Sequence, residues 1–115
     1  MPIPLEITFR GMTPSPSVET AVRRWVDRLA ATSGRIHRCH VVVELPHRHS
    51  RHGQAFHVRV ELDVPERTIT VSRDPARDPS HEDVYVAVGD AFRAARRQLQ
   101  DFQQIQRGEI KHHVA

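Results

Sequence analysis

The sequence predicts an α+β domain in which two helices cover one face of a four-stranded mixed sheet, in the order β-α-β-β-β-α. Three observations lead there. Four short segments alternate apolar and polar residues with a period of two. Two longer segments repeat apolar residues at i, i+3, i+4 and i+7, one buried stripe each. Every strand has a single apolar face, so both helices must pack on the same side of the sheet. A chain of 115 residues has room for one such core. Residues 1–108 are expected to form this domain and 109–115 a frayed tail.

In the first strand, residues 4–10, Leu5, Ile7 and Phe9 alternate with Glu6, Thr8 and Arg10. Residues 11–14 break it. Ser15 followed by Pro16 reads as an N-cap with proline at the first helical position, and Glu19 suits the positive end of the dipole. The helix carries Val18, Ala21, Val22, Trp25, Val26 and Leu29 inward and Arg23, Arg24, Asp27 and Arg28 outward, and Ser33 and Gly34 stop it. A second strand spans 36–45, with Cys39, Val41, Val43 and Leu45 opposite Arg38, His40 and Glu44. Pro46 ends it, and 47–53 is a cationic loop with no core-forming residue. The third strand has the clearest alternation: Phe56, Val58, Val60, Leu62 and Val64 inward, His57, Arg59, Glu61 and Asp63 outward. Pro65 and Glu66 make a tight turn into a fourth strand with Ile69 and Val71 inward. The first crossover is a βαβ unit, so strands one and two are expected to be parallel and the other neighbours antiparallel.

Residues 73–79 form a proline-punctuated loop. Ser80 with Asp83 three residues on resembles a capping box that opens the last helix. Its stripe is Val84, Ala87, Val88, Ala91, Phe92, Ala95, Leu99 and Phe102. Arg93, Arg96 and Arg97 flank it, Gly89 and Asp90 mark a polar back, and the helix runs to about residue 108. Beyond Gln103 the apolar period fades and the end projects from the body.

Net charge is +3 with histidine neutral, and Lys111 is the only lysine. Arginine is the side chain suited to forked phosphate contacts. The arginines of the last helix therefore have two readings: a solvated face with partners such as Asp90 and Asp101, or contacts to phosphate. Cys39 is the only cysteine, which excludes an intrachain disulfide. No signal-peptide pattern is present and no apolar run approaches a membrane span, so the expected compartment is the cytoplasm, with no membrane partner. His37, His40, His47, His49, His52 and His57 lie on or between the middle strands, but without carboxylate or cysteine at diagnostic spacing; no metal and no cofactor are expected. No glycine-rich phosphate loop, nucleophile elbow or H-E-x-x-H motif supports an enzyme. The polar sheet face lacks the exposed aromatics on which an RNA-recognition-motif sheet stacks bases.

The last helix also carries a resemblance. Asp83, Tyr85, Ala87 and Val88, followed by Arg97, Gln98 and Leu99, resemble the aspartate-x-tyrosine-x-alanine-apolar … arginine-glutamine-leucine helix of the ribosome hibernation promoting factors. That family includes the ribosome-associated inhibitor A proteins, once called sigma-54 modulation proteins. The element order, the pair Arg28 and Leu29 in the first helix, and Val41 to Glu44 in the second strand are similar as well, and the likeness extends to about Arg107. It implies layers like those of a double-stranded-RNA-binding domain. It further implies binding to the small ribosomal subunit and its RNA, in the channel that mRNA and tRNA occupy, with inhibited translation and protected, inactive ribosomes under stress. In that family the RNA-facing cations lie largely on the helices. Carried over by position, Arg97 matches a family arginine and Arg28 a basic position; Arg24, Arg93 and Arg96 adjoin them by helical geometry.

The sequence also departs from the family. Ala94 stands where lysine is common, Gly89 where an acidic residue is frequent, and residues 100–106 contain no cation where relatives stay basic. The loop 47–52, Arg73 and Arg77 are the compensating cations, and Arg73 joins the expected RNA-binding set. The dimerising domain of longer members has no counterpart in these residues; some divergent members continue into a cold-shock domain, a pattern that a longer form of this chain would fit. Two other readings stay open: a structural or protein-interaction module that self-associates weakly through an exposed edge strand, and a general double-stranded nucleic-acid binder.

Overall fold

The computed structural model describes residues 3–32, 35–46, 55–72 and 83–107. The elements are β1 (Leu5–Arg10), α1 (Pro16–Thr32), β2 (Arg38–Glu44), β3 (His57–Val64), β4 (Arg67–Ser72) and α2 (Val84–Arg107). They form one mixed sheet of order β1-β2-β3-β4, with β1 parallel to β2 and the other pairs antiparallel. Both the α+β class and the strand directions are those that the alternation and connection lengths predict. The expected span 36–45 overshoots β2, although His37 and Leu45 still donate backbone hydrogen bonds to Asp63 (2.7 Å) and Arg10 (2.9 Å). The loop 47–53, Ser80, Arg73, Arg77 and the tail 109–115 lie outside the described residues. No helix among the described residues is long and apolar enough to cross a membrane.

Register turns the alternation into one packed layer. Leu5, Cys39, Leu62 and Ile69 lie side by side across the four strands, and Ile7, Val41, Val60 and Val71 form the next row. Because successive side chains point to opposite faces, these rows share one side. Val18, Val22, Val26 and Leu29 of α1 and Ala87, Val88, Ala91, Phe92, Ala95 and Leu99 of α2 close over them in a single buried cluster. The α2 helix lies on β3 and β4 and packs laterally against α1. Phe102 packs against the cluster beneath the Arg67 guanidinium, 4.8 Å from its ring centre. Gln103 and Gln104 are half-buried, so the helix stays on the body past the expected point of departure.

The boundaries have local causes. Gly11 takes φ 70°, a left-handed turn that a side chain would strain, and this ends β1. Ser15 caps α1: its Oγ accepts the Val18 N–H at 3.3 Å and its carbonyl accepts the Glu19 N–H at 3.0 Å. At α2 the cap differs from the expected box. Asp83 itself is the N-cap, accepting the Tyr85 N–H on Oδ1 at 2.9 Å and the Ala87 N–H on its carbonyl at 3.1 Å. Its carboxylate therefore sits one helical turn earlier than a capping-box acid, at the end where the dipole favours negative charge. Between β3 and β4, Glu66 at φ 79° follows Pro65 in the two-residue turn.

Three consequences are measurable. Phe92 is fully buried, so Phe92→Ala should lower the unfolding free energy in urea by about 3–5 kcal/mol. Asp83→Ala should cost about 1 kcal/mol through loss of the cap, read as a lower Tm. Burial, and secondarily the charge of Asp63, push the Cys39 thiol from its ordinary value near 9 up to about 12. A thiol reagent at mildly alkaline pH should consequently modify Cys39 only as fast as the protein unfolds. The folded state holds this proton through a window in which the unfolded chain has lost it. The contribution of Cys39 to stability is thus full below about pH 9 and falls as pH rises toward 12.

Candidate nucleic-acid interface

The two surfaces of the domain differ in chemistry. On the open face of the sheet, polar side chains satisfy one another across all four strands. His40 Nε2 shares a hydrogen bond with Thr8 Oγ1 at 3.0 Å, and its Nδ1 lies 3.5 Å from Glu61 Oε1. Arg59 donates to Glu61 Oε2 at 2.6 Å. His57 lies 2.6 Å from Ser72 Oγ through Nε2 and 3.6 Å from Glu44 Oε1 through Nδ1. Arg38 reaches Glu6 at 3.3 Å, and Thr68 donates to Asp63 at 3.0 Å. Carboxylates and arginines alternate here, so the face carries little net field. The apolar residue at its middle, Val42, is buried under these side chains. The histidines expected on this face are engaged in that lattice, and among the described residues no group of three metal-ligating side chains converges.

The helical side is cationic. At about 100° per residue, Arg93, Arg96 and Arg97 fall within one flank of α2, and Arg24 and Arg28 lie one turn apart on α1 beside Trp25. All five are exposed. Arg93 donates to Asp90 Oδ1 at 3.2 Å, the local pairing expected of a solvated face. Arg24, Arg96 and Arg97 have no ion-pair partner among the described residues. Asp101, the other expected partner, is exposed.

The seam between the helices holds a feature that the apolar stripes alone do not reveal. Trp25 faces inward as expected but stays half-buried at the edge of the core, and its indole stacks on Phe92 with ring centres 5.9 Å apart and planes 11° from parallel. The guanidinium of Arg28 lies 4.9 Å from the Trp25 ring centre and that of Arg93 lies 5.2 Å from it. Gly89 is not part of a polar back; it is buried at this seam. A Cβ there would stand 3.4 Å from the Trp25 ring and 3.1 Å from Arg93 Nη1. The sequence signals for this seam are the spacings Trp25 to Arg28 and Gly89 to Arg93, about one helical turn each.

The remaining motif residues separate into roles. Leu99 is buried in the core and Asp83 caps the helix, while Tyr85 is half-exposed and Gln98 is exposed. Ala94, at the position where the resemblance implies lysine, is buried in the core cluster. Arg73 lies outside the described residues.

Comparison with known proteins bears on the fold and the family. The profile described as sigma 54 modulation protein / S30EA ribosomal protein matches residues 5–107. The structure of a ribosomal subunit interface protein from Coxiella burnetii is similar at a TM-score of 0.70 and 16% identity, over 88% of this chain and 98% of that one. The Protein Y N-terminal domain of Thermus thermophilus is similar at 0.67 and 20% identity, over 89% of this chain and 99% of that one. No curated protein matches the sequence. At these identities the solved structures establish the shared fold, and the profile, spanning every element from β1 to α2, establishes the family: this chain belongs to the sigma 54 modulation protein / S30EA ribosomal protein family.

Proposed function

We propose that the protein is a ribosome-associated translation inhibitor that binds the small ribosomal subunit through its helical face. In this reading Arg24, Arg28, Arg93, Arg96 and Arg97 contact ribosomal RNA phosphates, and the bound domain occupies space that mRNA and tRNA need, in the cytoplasm and under stress. The observation that carries it is the division of charge: exposed arginines gather on the helices, whereas the open sheet face is a self-paired lattice. Family membership supports a ribosomal partner, and the Coxiella burnetii relative is itself described as a ribosomal subunit interface protein. The action is steric, so no catalytic group or cofactor is required. Residues 100–105 contribute no cation, which concentrates the electrostatic contact on the turns up to Arg97.

Replacing Arg93, Arg96 and Arg97 together with glutamine should reduce co-sedimentation with small subunits while leaving the melting temperature within a few degrees of wild type. Each phosphate that the protein no longer neutralises flattens the dependence of log affinity on log salt by about one unit, so the slope of the triple variant should be shallower by roughly two to three. Equal co-sedimentation and equal slope would remove α2 from the interface.

A further inference from the structure

We infer that Arg28, Trp25 and Arg93 form a paired-guanidinium clamp for one phosphodiester group of RNA, with Trp25 as the positioning residue. The inference rests on the reading of the helical face as RNA-binding. It adds the ligand chemistry of one spot and a role for an aromatic residue that the resemblance does not assign.

The geometry comes from two helices meeting on one ring. Each guanidinium carbon is about 5 Å from the same indole centre, so the two cations are held no more than about 10 Å apart. They arrive from different elements: Arg28 from α1 and Arg93 from α2. Phe92 is stacked on the same indole, and with both guanidiniums also against it the ring has little face left for a nucleobase. Stacking engages the flat face of a guanidinium and leaves its in-plane N–H donors directed outward. Arg93 commits one of these donors to Asp90. The Arg28 guanidinium has no hydrogen-bond or ion-pair partner among the described residues.

Gly89 completes the seat. Its missing side chain leaves the space in which Arg93 Nη1 reaches the ring. Two like charges within that limit are tolerated by solvent screening, and the clamp assigns their remaining donors to one shared oxyanion. A phosphodiester has two such oxygens and suits forked donors from both sides. The indole limits the rotamers of both arginines before the anion arrives, which lowers the ordering cost of binding.

The chain has one tryptophan, so its emission reads this spot alone. With the full chain, a short labelled RNA should change Trp25 emission saturably and in step with RNA anisotropy. The double variant Arg28→Gln with Arg93→Gln should weaken RNA binding by about tenfold or more at low salt and flatten the salt slope by about two units. Trp25→Leu should flatten the slope by a similar amount while both cations remain in the chain, whereas Trp25→Phe, which keeps an aromatic face, should restore most of it. A merely structural tryptophan would alter melting but not the slope.

RNA anisotropy that rises with no change in Trp25 emission would overturn the clamp, as would a double variant with the wild-type slope. The same emission change produced by inorganic phosphate alone would make the spot a free-anion site, and by polyglutamate a protein-docking site; either overturns the RNA assignment. Small subunits decide the parent reading separately. A wild-type protein that binds RNA through Trp25 but never co-sediments with small subunits sinks the ribosomal function and leaves the clamp. Co-sedimentation unaffected by the double variant sinks the clamp and leaves the function.

Discussion

The structure depends on parity. In each strand the large apolar side chains occupy alternate positions, and the register aligns them into rows that all face one way. A one-residue slip in any strand would move its apolar set to solvent and its polar face into the core. Once the rows are aligned, the helices have one place to go, and burying them there removes Phe92, Leu29 and Leu99 from water together. Everything polar is then assigned to one of two surfaces, the open sheet face or the outside of the helices.

Those surfaces resolve their charges differently, and the proposed function rests on this difference. On a sheet, opposite side chains stand close enough for cross-strand pairs, as in His40 with Glu61 and His57 with Glu44, and Arg59 pairs with Glu61 two residues along β3. On the helices, Arg24 and Arg28 share one flank of α1, and Arg93, Arg96 and Arg97 share one flank of α2. Cations segregated in this way keep their field for a polyanion. Trp25 lies at the seam and gathers one arginine from each helix.

Much of this is legible in the residues. Period-two alternation locates β3 almost to the residue, because every second position from Val58 to Val64 is buried. Ser15 and Pro16 mark the start of α1 because capping chemistry is local. The start of α2 is harder to place: Ser80 and Asp83 have the spacing of a capping box, yet Asp83 can cap by itself. Gly89 falls on a polar back by helical periodicity, which does not show that Trp25 arrives from α1 on that flank, where a Cβ would meet both its ring and the Arg93 guanidinium. Ala94 is buried where the resemblance implies lysine, since burial beside the stripe depends on how α2 lies over β3 and β4. Helical geometry puts Arg24, Arg28, Arg93, Arg96 and Arg97 on exposed turns, as found, but the ring that organises two of them is a tertiary feature.

The central claim is that the helical face, and not the sheet, meets ribosomal RNA. A photo-crosslinker placed at Gln100, seven residues on from Arg93 along the same flank of α2, tests this against one at Thr70, exposed on β4. With purified small subunits at low salt, binding through the helices predicts crosslinks to the small-subunit RNA from position 100 and none above background from position 70. Crosslinks from position 70 alone would contradict it.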